Sequence, residues 1–188
     1  MTRVLQEADP EAAALLGDGW RIVQRSWGAR LRDLDAERLA ALVSAPQGYE
    51  VAEVGMESDA GIAALEAGVR SDYPGGSTTA PEVHDEAALA ALRAGGTRFF
   101  AALHGGEVVA VTAIRGGGDH AETDFTAVAR DHRRQGLAEA VKAASVLALL
   151  GDGAVVFGTG GAEENAASLA MNARLGYVVT ERWLTLER

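Results

Sequence analysis

The chain has 188 residues, 48 % of them hydrophobic, enough for one sizeable core plus an appendage. It has no cysteine, which excludes disulfides, thiolate metal sites and a cysteine acyl-enzyme. A formal net charge of −10 argues against a nucleic-acid partner and suits a cationic small molecule if acidic groups line a cleft, although solubility alone accounts for such a charge.

No apolar run of about eighteen residues is present, so no membrane span is expected, and Met1-Thr2-Arg3-Val4-Leu5-Gln6-Glu7 lacks the apolar stretch of a signal peptide. A cytoplasmic protein is expected. In chain order, the pattern predicts a short helix over 10–16, a strand over 20–27 and a capped helix over 35–43. Ala45-Pro46-Gln47-Gly48 then breaks the pattern as a linker does, dividing an N-terminal extension (1–48) from a main domain (49–188). The main domain opens with a strand over 49–54, a helix over 60–69, a Pro/Gly/Ser/Thr-rich loop over 72–81 and a helix over 82–93. A strand over 98–103 turns at His104-Gly105-Gly106-Glu107 into a strand over 108–114. After a glycine-rich loop come a strand over 121–129, a helix over 134–150, a strand over 154–159, a helix over 163–174 and a last strand from Tyr177. This alternation places the chain in the α/β (α+β) class.

The most informative stretch is Arg133-Arg134-Gln135-Gly136-Leu137-Ala138, reached from the apolar strand Phe125-Thr126-Ala127-Val128-Ala129 and left by a helix. A helix start leaves backbone N–H groups without intrahelical partners, with the positive end of the helix dipole behind them. Gly136 removes the Cβ that would block close approach, Ala138 keeps the next turn open, and Arg133 and Arg134 add charge at the rim. Such a turn holds a diphosphate; a helix that merely starts after a loop is the other reading of so short a pattern. A second block follows, in which Thr159, Asn165, Asn172 and Leu175-Gly176-Tyr177 fall at the spacing Thr-x5-Asn-x6-Asn-x2-Leu-Gly-aromatic.

Together the two blocks resemble the GCN5-related N-acetyltransferase (GNAT) superfamily, from about Tyr49 to the end of the chain. The bacterial branch carrying Thr-Ala-Val, then His-Arg-x-x-Gly-Leu-Ala, then a lysine on the next helix is most similar; here these are Thr126-Ala127-Val128, His132 to Ala138 and Lys142, the chain's one lysine. The resemblance implies a mixed central sheet with a splayed strand pair flanked by helices. It also implies acetyl-CoA as co-substrate and direct attack of a small-molecule primary amine on the thioester, through a tetrahedral intermediate. A degenerate or regulatory acyl-CoA-binding module and an acetyltransferase acting on protein amines are the alternatives. Residues 11–25 echo 164–182, each a helix running through Gly-aromatic into a strand, so the N-terminal piece resembles the end of a preceding repeat; an unrelated extension is the other reading. Three departures stand out: Gly161 where the branch has a second asparagine, Ser168 where it has a methionine, and Asn172 where many relatives place the tyrosine that protonates the departing thiolate.

Strand 121–129 is expected to carry the chemistry. Alternation puts Glu122, Asp124, Thr126 and Val128 on one face, with Phe125 and Ala127 on the other. By the resemblance, the Val128 backbone pairs with the pantetheine arm, and the N–H of Thr126 or Ala127 faces the thioester oxygen. An acceptor amine must lose a proton before it attacks, and Glu122 is the expected base, with Asp124 second; either also reads as a plain solvent-facing carboxylate. The cofactor-binding set is Thr126, Ala127, Val128, Arg133, Arg134, Gln135, Gly136, Leu137, Ala138, Asn165 and Asn172, where Asn165 also reads as a helix cap and Asn172 as a packed polar residue. His120 and His132 read as surface residues, and no metal is expected. The loop over 72–81 is where acceptor choice is expected, with Tyr73 and Pro74 as an apolar wall. The strand over 20–27, with two tryptophans, is expected to extend the sheet or cover a partner chain in a dimer.

Overall fold

The computed structural model describes residues 1–72 and 83–188. Its strands are β1 (Thr2–Gln6), β2 (Arg21–Leu31), β3 (Glu50–Val54), β4 (Thr97–His104), β5 (Glu107–Gly117), β6 (His120–Val128), β7 (Val156–Ala162) and β8 (Val178–Glu187). The helices are α1 (Pro10–Gly17), α2 (Ala36–Ser44), α3 (Asp59–Val69), α4 (Glu86–Ala94), α5 (Leu137–Gly151) and α6 (Ala166–Leu175). Most of the loop expected to choose the acceptor, with Tyr73 and Pro74, lies outside the described residues.

Local chemistry sets where the helices begin. The side chains of Asp9, Asp35, Asp85 and Asn165 accept the N–H groups of Glu11, Arg38, Ala88 and Ser168, capping α1, α2, α4 and α6. Asp85 explains why α4 begins at Glu86 rather than at 82. Helix α5 begins at Leu137 rather than 134 because Arg134 and Gly136 are left-handed, with φ of 59° and 77°, and a left-handed residue cannot extend a right-handed helix.

The described strands form one sheet in the order β1-β8-β2-β7-β6-β5-β4-β3. Strand β2 therefore lies inside the sheet, paired with β7 on one side and β8 on the other. The expected boundary at residue 48 does not separate two packed bodies, because residues 1–48 supply two strands of the same sheet. Strand β1 had no counterpart in the sequence reading; it pairs with β8 along the edge. Trp20 and Trp27 are buried in this chain's own core, and the segment extends the sheet, the first of the two roles expected for it. One face of the sheet packs Ala29, Leu31, Ile114 and Phe157 against α2, α5 and α6. The other packs Phe99, Val111, Ala113 and Phe125 against α3 and α4.

Two irregularities in β6 position the site. It pairs with β7, the one parallel pairing among the described strands, only at His120↔Val156, Ala121↔Phe157 and Glu122↔Gly158. Beyond that point the strands diverge, giving the splayed pair that the resemblance implies. Opposite β5 the register jumps from Ala113↔Phe125 to Ile114↔Thr123, so Asp124 has no partner and forms a β-bulge. Among the described residues no helix is long and apolar enough to cross a membrane.

Candidate active site

A bulge inserts one residue and so reverses which face the following side chains occupy. Ala121 shares a cluster with Ile114 on the α5 face, whereas Phe125 and Ala127 share one with Ala113 on the α3 face. Glu122 therefore points to the α3 face, and Thr126 and Val128 point to the α5 face. This corrects the expected arrangement, in which simple alternation placed Glu122 with Thr126 and Val128. Glu122 lies over Gly158, where a Cβ would sit 1.8 Å from its Oε2 and 2.6 Å from Arg30 Nη1, so glycine alone leaves room for the ion pair of 3.5 Å between Glu122 and Arg30. Partial burial pushes the Glu122 carboxyl up, and Arg30 opposes that.

The divergence of β6 and β7 opens a cleft of about 840 Å³, lined by 123–128 of one strand and 159–162 of the other, and closed at one end by the turn before α5. Glu122 is absent from its lining, and Asp124 is part of it, with Arg115 3.5 Å away. The backbone along the β6 edge is directed by one bond: Ala129 N–H donates to Val109 O at 2.8 Å, toward β5. Alternation from that bond turns the N–H groups of Thr126 and Val128 into the cleft and the N–H of Ala127 toward β5. Of the two amides expected at the thioester oxygen, Thr126 is the one so placed. The Val128 carbonyl already accepts from Arg133 Nε at 3.2 Å.

The turn at the end of the cleft leaves the start of α5 open. Arg134 and Gly136 are both left-handed, which swings successive amides to one side, and no side chain caps α5, unlike the four capped helices. Nothing lies within 4 Å of where a Gly136 Cβ would be, so its requirement is conformational: its φ of 77° favours glycine. Arg133 is not idle, since together with Arg130 it binds Asp72, and these two hold that carboxyl far below the usual carboxylate range. His132 also departs from its expected surface role: it lines the cleft and its Nδ1 is 3.0 Å from the Tyr49 hydroxyl. His120 is exposed beside Asp119 as expected.

The second motif closes around a residue whose importance the sequence reading passed over. Lys142 is fully buried in α5, and its Nζ donates to Thr159 Oγ1 at 2.8 Å and Asn172 Oδ1 at 2.5 Å while lying 4.7 Å from the Tyr177 ring centre. Asn172 Nδ2 donates to Ser168 O at 2.9 Å, which fixes its oxygen toward the lysine. Asn172 thus faces Lys142 rather than the cleft, whereas Asn165 caps α6 and keeps a place in the lining. Burial pulls the Lys142 ammonium down to about 7, with Glu122 pulling the other way. Tyr177 is pushed up by its own burial, and the Thr123 hydroxyl beside it opposes that. Two of the three departures have local reasons in their neighbours: a Cβ on Gly161 would approach Trp27 Cζ2 to 2.9 Å, and the Ser168 hydroxyl accepts from Asn172 Nδ2 at 3.4 Å. The signal for Lys142 was available, as a lone charge amid the apolar run Ala140-Val141-Lys142-Ala143-Ala144.

Comparisons with known proteins agree with this geometry. A tandem GNAT protein from the clavulanic acid biosynthesis pathway is similar with a TM-score of 0.71 and 22% identity over 98% of this chain and 62% of that one. A GCN5-related N-acetyltransferase from Sphaerobacter thermophilus gives 0.76 and 14% over 98% and 58%, and one from Kribbella flavida gives 0.65 and 21% over 98% and 66%. The chain thus spans less than two thirds of the first two named proteins and about two thirds of the third, and identities this low establish the fold alone. A search of curated proteins gives no match. The model of the acetyltransferase (GNAT) family matches residues 63–177, from α3 through α5 and β7 to Tyr177, and the chain belongs to that family.

Proposed function

We propose that this chain is an acetyl-CoA-dependent N-acetyltransferase that passes the acetyl group directly to a primary amine of a small molecule. The observation that carries the reading is the cleft itself: a strand edge whose Thr126 and Val128 N–H groups face it, an uncapped helix start with two left-handed residues at its end, and no cysteine in the chain to hold an acyl group. The 134–138 amides suit the diphosphate of acetyl-CoA, with Arg133 and Arg134 at the rim. The β6 edge suits the amide-rich arm, and the Thr126 N–H suits the developing oxyanion of the tetrahedral intermediate. Asp124 is the better-placed carboxylate for the amine proton, because it lines the cleft and Glu122 does not. Among the described residues the cleft carries Asp72, Asp124 and Glu139 against Arg133, Arg134, Lys142 and Arg174, so the chain's excess negative charge is not concentrated on them.

Free-thiol release from acetyl-CoA against a panel of amines tests the reading. Asp124→Asn is expected to lower turnover about 10²-fold or more while leaving acetyl-CoA affinity intact, which is the usual range for losing a general base. Glu122→Gln is expected to have the smaller effect. The reverse ranking would return the proton to Glu122, and acetyl-CoA binding without release from any amine would favour a binding module.

A further inference from the structure

Any transfer from a thioester must expel a thiolate, and a thiolate leaves more readily when a proton meets it. The reacting end of the cleft is its apex, where β6 and β7 come together at Glu122↔Gly158, opposite the anion-binding turn. Thr159 is the first β7 residue past that last pair, and its side chain lines the cleft on the α5 face. Its Oγ1 accepts from Lys142 Nζ at 2.8 Å, and among the described residues its own O–H has no acceptor. Such a hydroxyl has a proton to give into the cleft and a donor behind it to replace that proton.

We propose that Thr159 and Lys142 form the acid of the reaction, Thr159 as the catalytic residue that meets the departing sulfur and Lys142 as the positioning residue and proton reservoir behind it. The proposal rests on the acyl-transfer reading above. As the amine nitrogen bonds to the acetyl carbon and the intermediate collapses, the C–S bond breaks with its electron pair on sulfur. The Thr159 hydroxyl proton passes to that sulfur and a Nζ proton passes to the Thr159 oxygen. The proton shed by the attacking nitrogen passes to the Asp124 carboxylate and from there to solvent, and the neutral Lys142 regains one before the next turnover.

Every group facing Nζ fits this use. Thr159 from β7 and Asn172 from α6 accept its protons, the Tyr177 ring face favours its charge, and Glu122 of β6 adds a longer-range pull. Burial opposes the charge and wins, bringing the ammonium to about 7, where it yields a proton at neutral pH. A lysine held at its ordinary value near 10.4 would be a far weaker acid.

The test uses the full chain with Lys142→Met and Thr159→Val and two acetyl donors: acetyl-CoA and S-acetyl p-nitrothiophenol, whose thiolate leaves without a proton. Both variants are expected to keep the acetyl-CoA-induced rise in melting temperature, to lose about 10²-fold or more in turnover on acetyl-CoA, and to match wild type on the activated thioester. Equal losses on both donors, or an unimpaired Lys142→Met, would overturn the proposal. A wild type that releases no thiol for any amine would instead sink the acetyltransferase reading, and the relay with it. As a check that needs no variant to fold, ¹⁵N-lysine labelling gives a single side-chain signal in this one-lysine chain. That signal is expected to titrate near neutral pH, and one still protonated at pH 9 would exclude Lys142 as the reservoir.

Discussion

Gly136 and Asp72 are the single residues on which the proposed anion end is most directly tested. At Gly136 the backbone is left-handed, so Gly136→Val imposes a conformation that costs a β-branched residue about 1–3 kcal/mol. Titration calorimetry with acetyl-CoA should show binding weakened by more than about tenfold, since RT ln 10 is about 1.4 kcal/mol. Asp72 acts in the opposite sense, because its carboxylate engages both Arg130 and Arg133. Asp72→Asn should tighten acetyl-CoA binding and steepen its dependence on salt; unchanged affinity would mean that Arg133 takes no part. Lys142 ties stability to pH. Its folded value of about 7 lies below the unfolded value near 10.4, so the unfolded chain holds the extra proton between those limits and stability from this group rises with pH across them. Denaturant unfolding should show wild type gaining stability relative to Lys142→Met from pH 7 toward 10. The turn at 133–138 was legible as a helix start because its strand, glycine and helix are neighbours in sequence, whereas the motif from Thr159 to Tyr177 was legible only as a family resemblance. The partnership of Lys142, Thr159 and Asn172 was not, since it joins α5, β7 and α6 across the fold.

Among the elements, β6 decides most. Its bulge at Asp124 separates Glu122 from the Thr126 edge, and no residue pattern announced it, because Glu122-Thr123-Asp124-Phe125-Thr126 alternates as a regular strand would. Apart from β1, helix and strand existence was readable from periodicity and caps. Boundaries moved where a cap or a left-handed residue intervened, as at Asp85 and Gly136. The Asp85 cap carries its own prediction: Asp85→Ala should cost about 1 kcal/mol by denaturant unfolding. The fully buried Leu89 on the same helix should cost about 2–5 kcal/mol as Leu89→Ala, because it leaves a cavity against α3 and the sheet. If both variants unfold at the same midpoint, α4 is not held the way its contacts indicate.

At the scale of the whole molecule, the N-terminal residues are structural partners of the family domain. Strand β2 fills the place between β7 and β8, and Trp27 packs beside Gly161 while its Nε1 donates to Ala162 O at 3.1 Å. The sequence showed a linker at 45–48 and could not show that the chain before it returns to the sheet's interior, since antiparallel pairing across more than a hundred residues leaves no local signal. Trp27→Ala should therefore destabilise the whole fold by about 3–5 kcal/mol in a single transition. A separate early transition would make the N-terminal segment an independent unit. The cleft depends on the same architecture, because β2 holds β7 in place while β6 departs from it. The measurement that bears most directly on the account is the melting temperature with and without millimolar acetyl-CoA, followed in the same samples by thiol release with amines. A ligand that binds the native state must raise the midpoint, so the account predicts a rise together with amine-dependent release. No rise at all would contradict the anion-binding turn and the cleft reading built upon it.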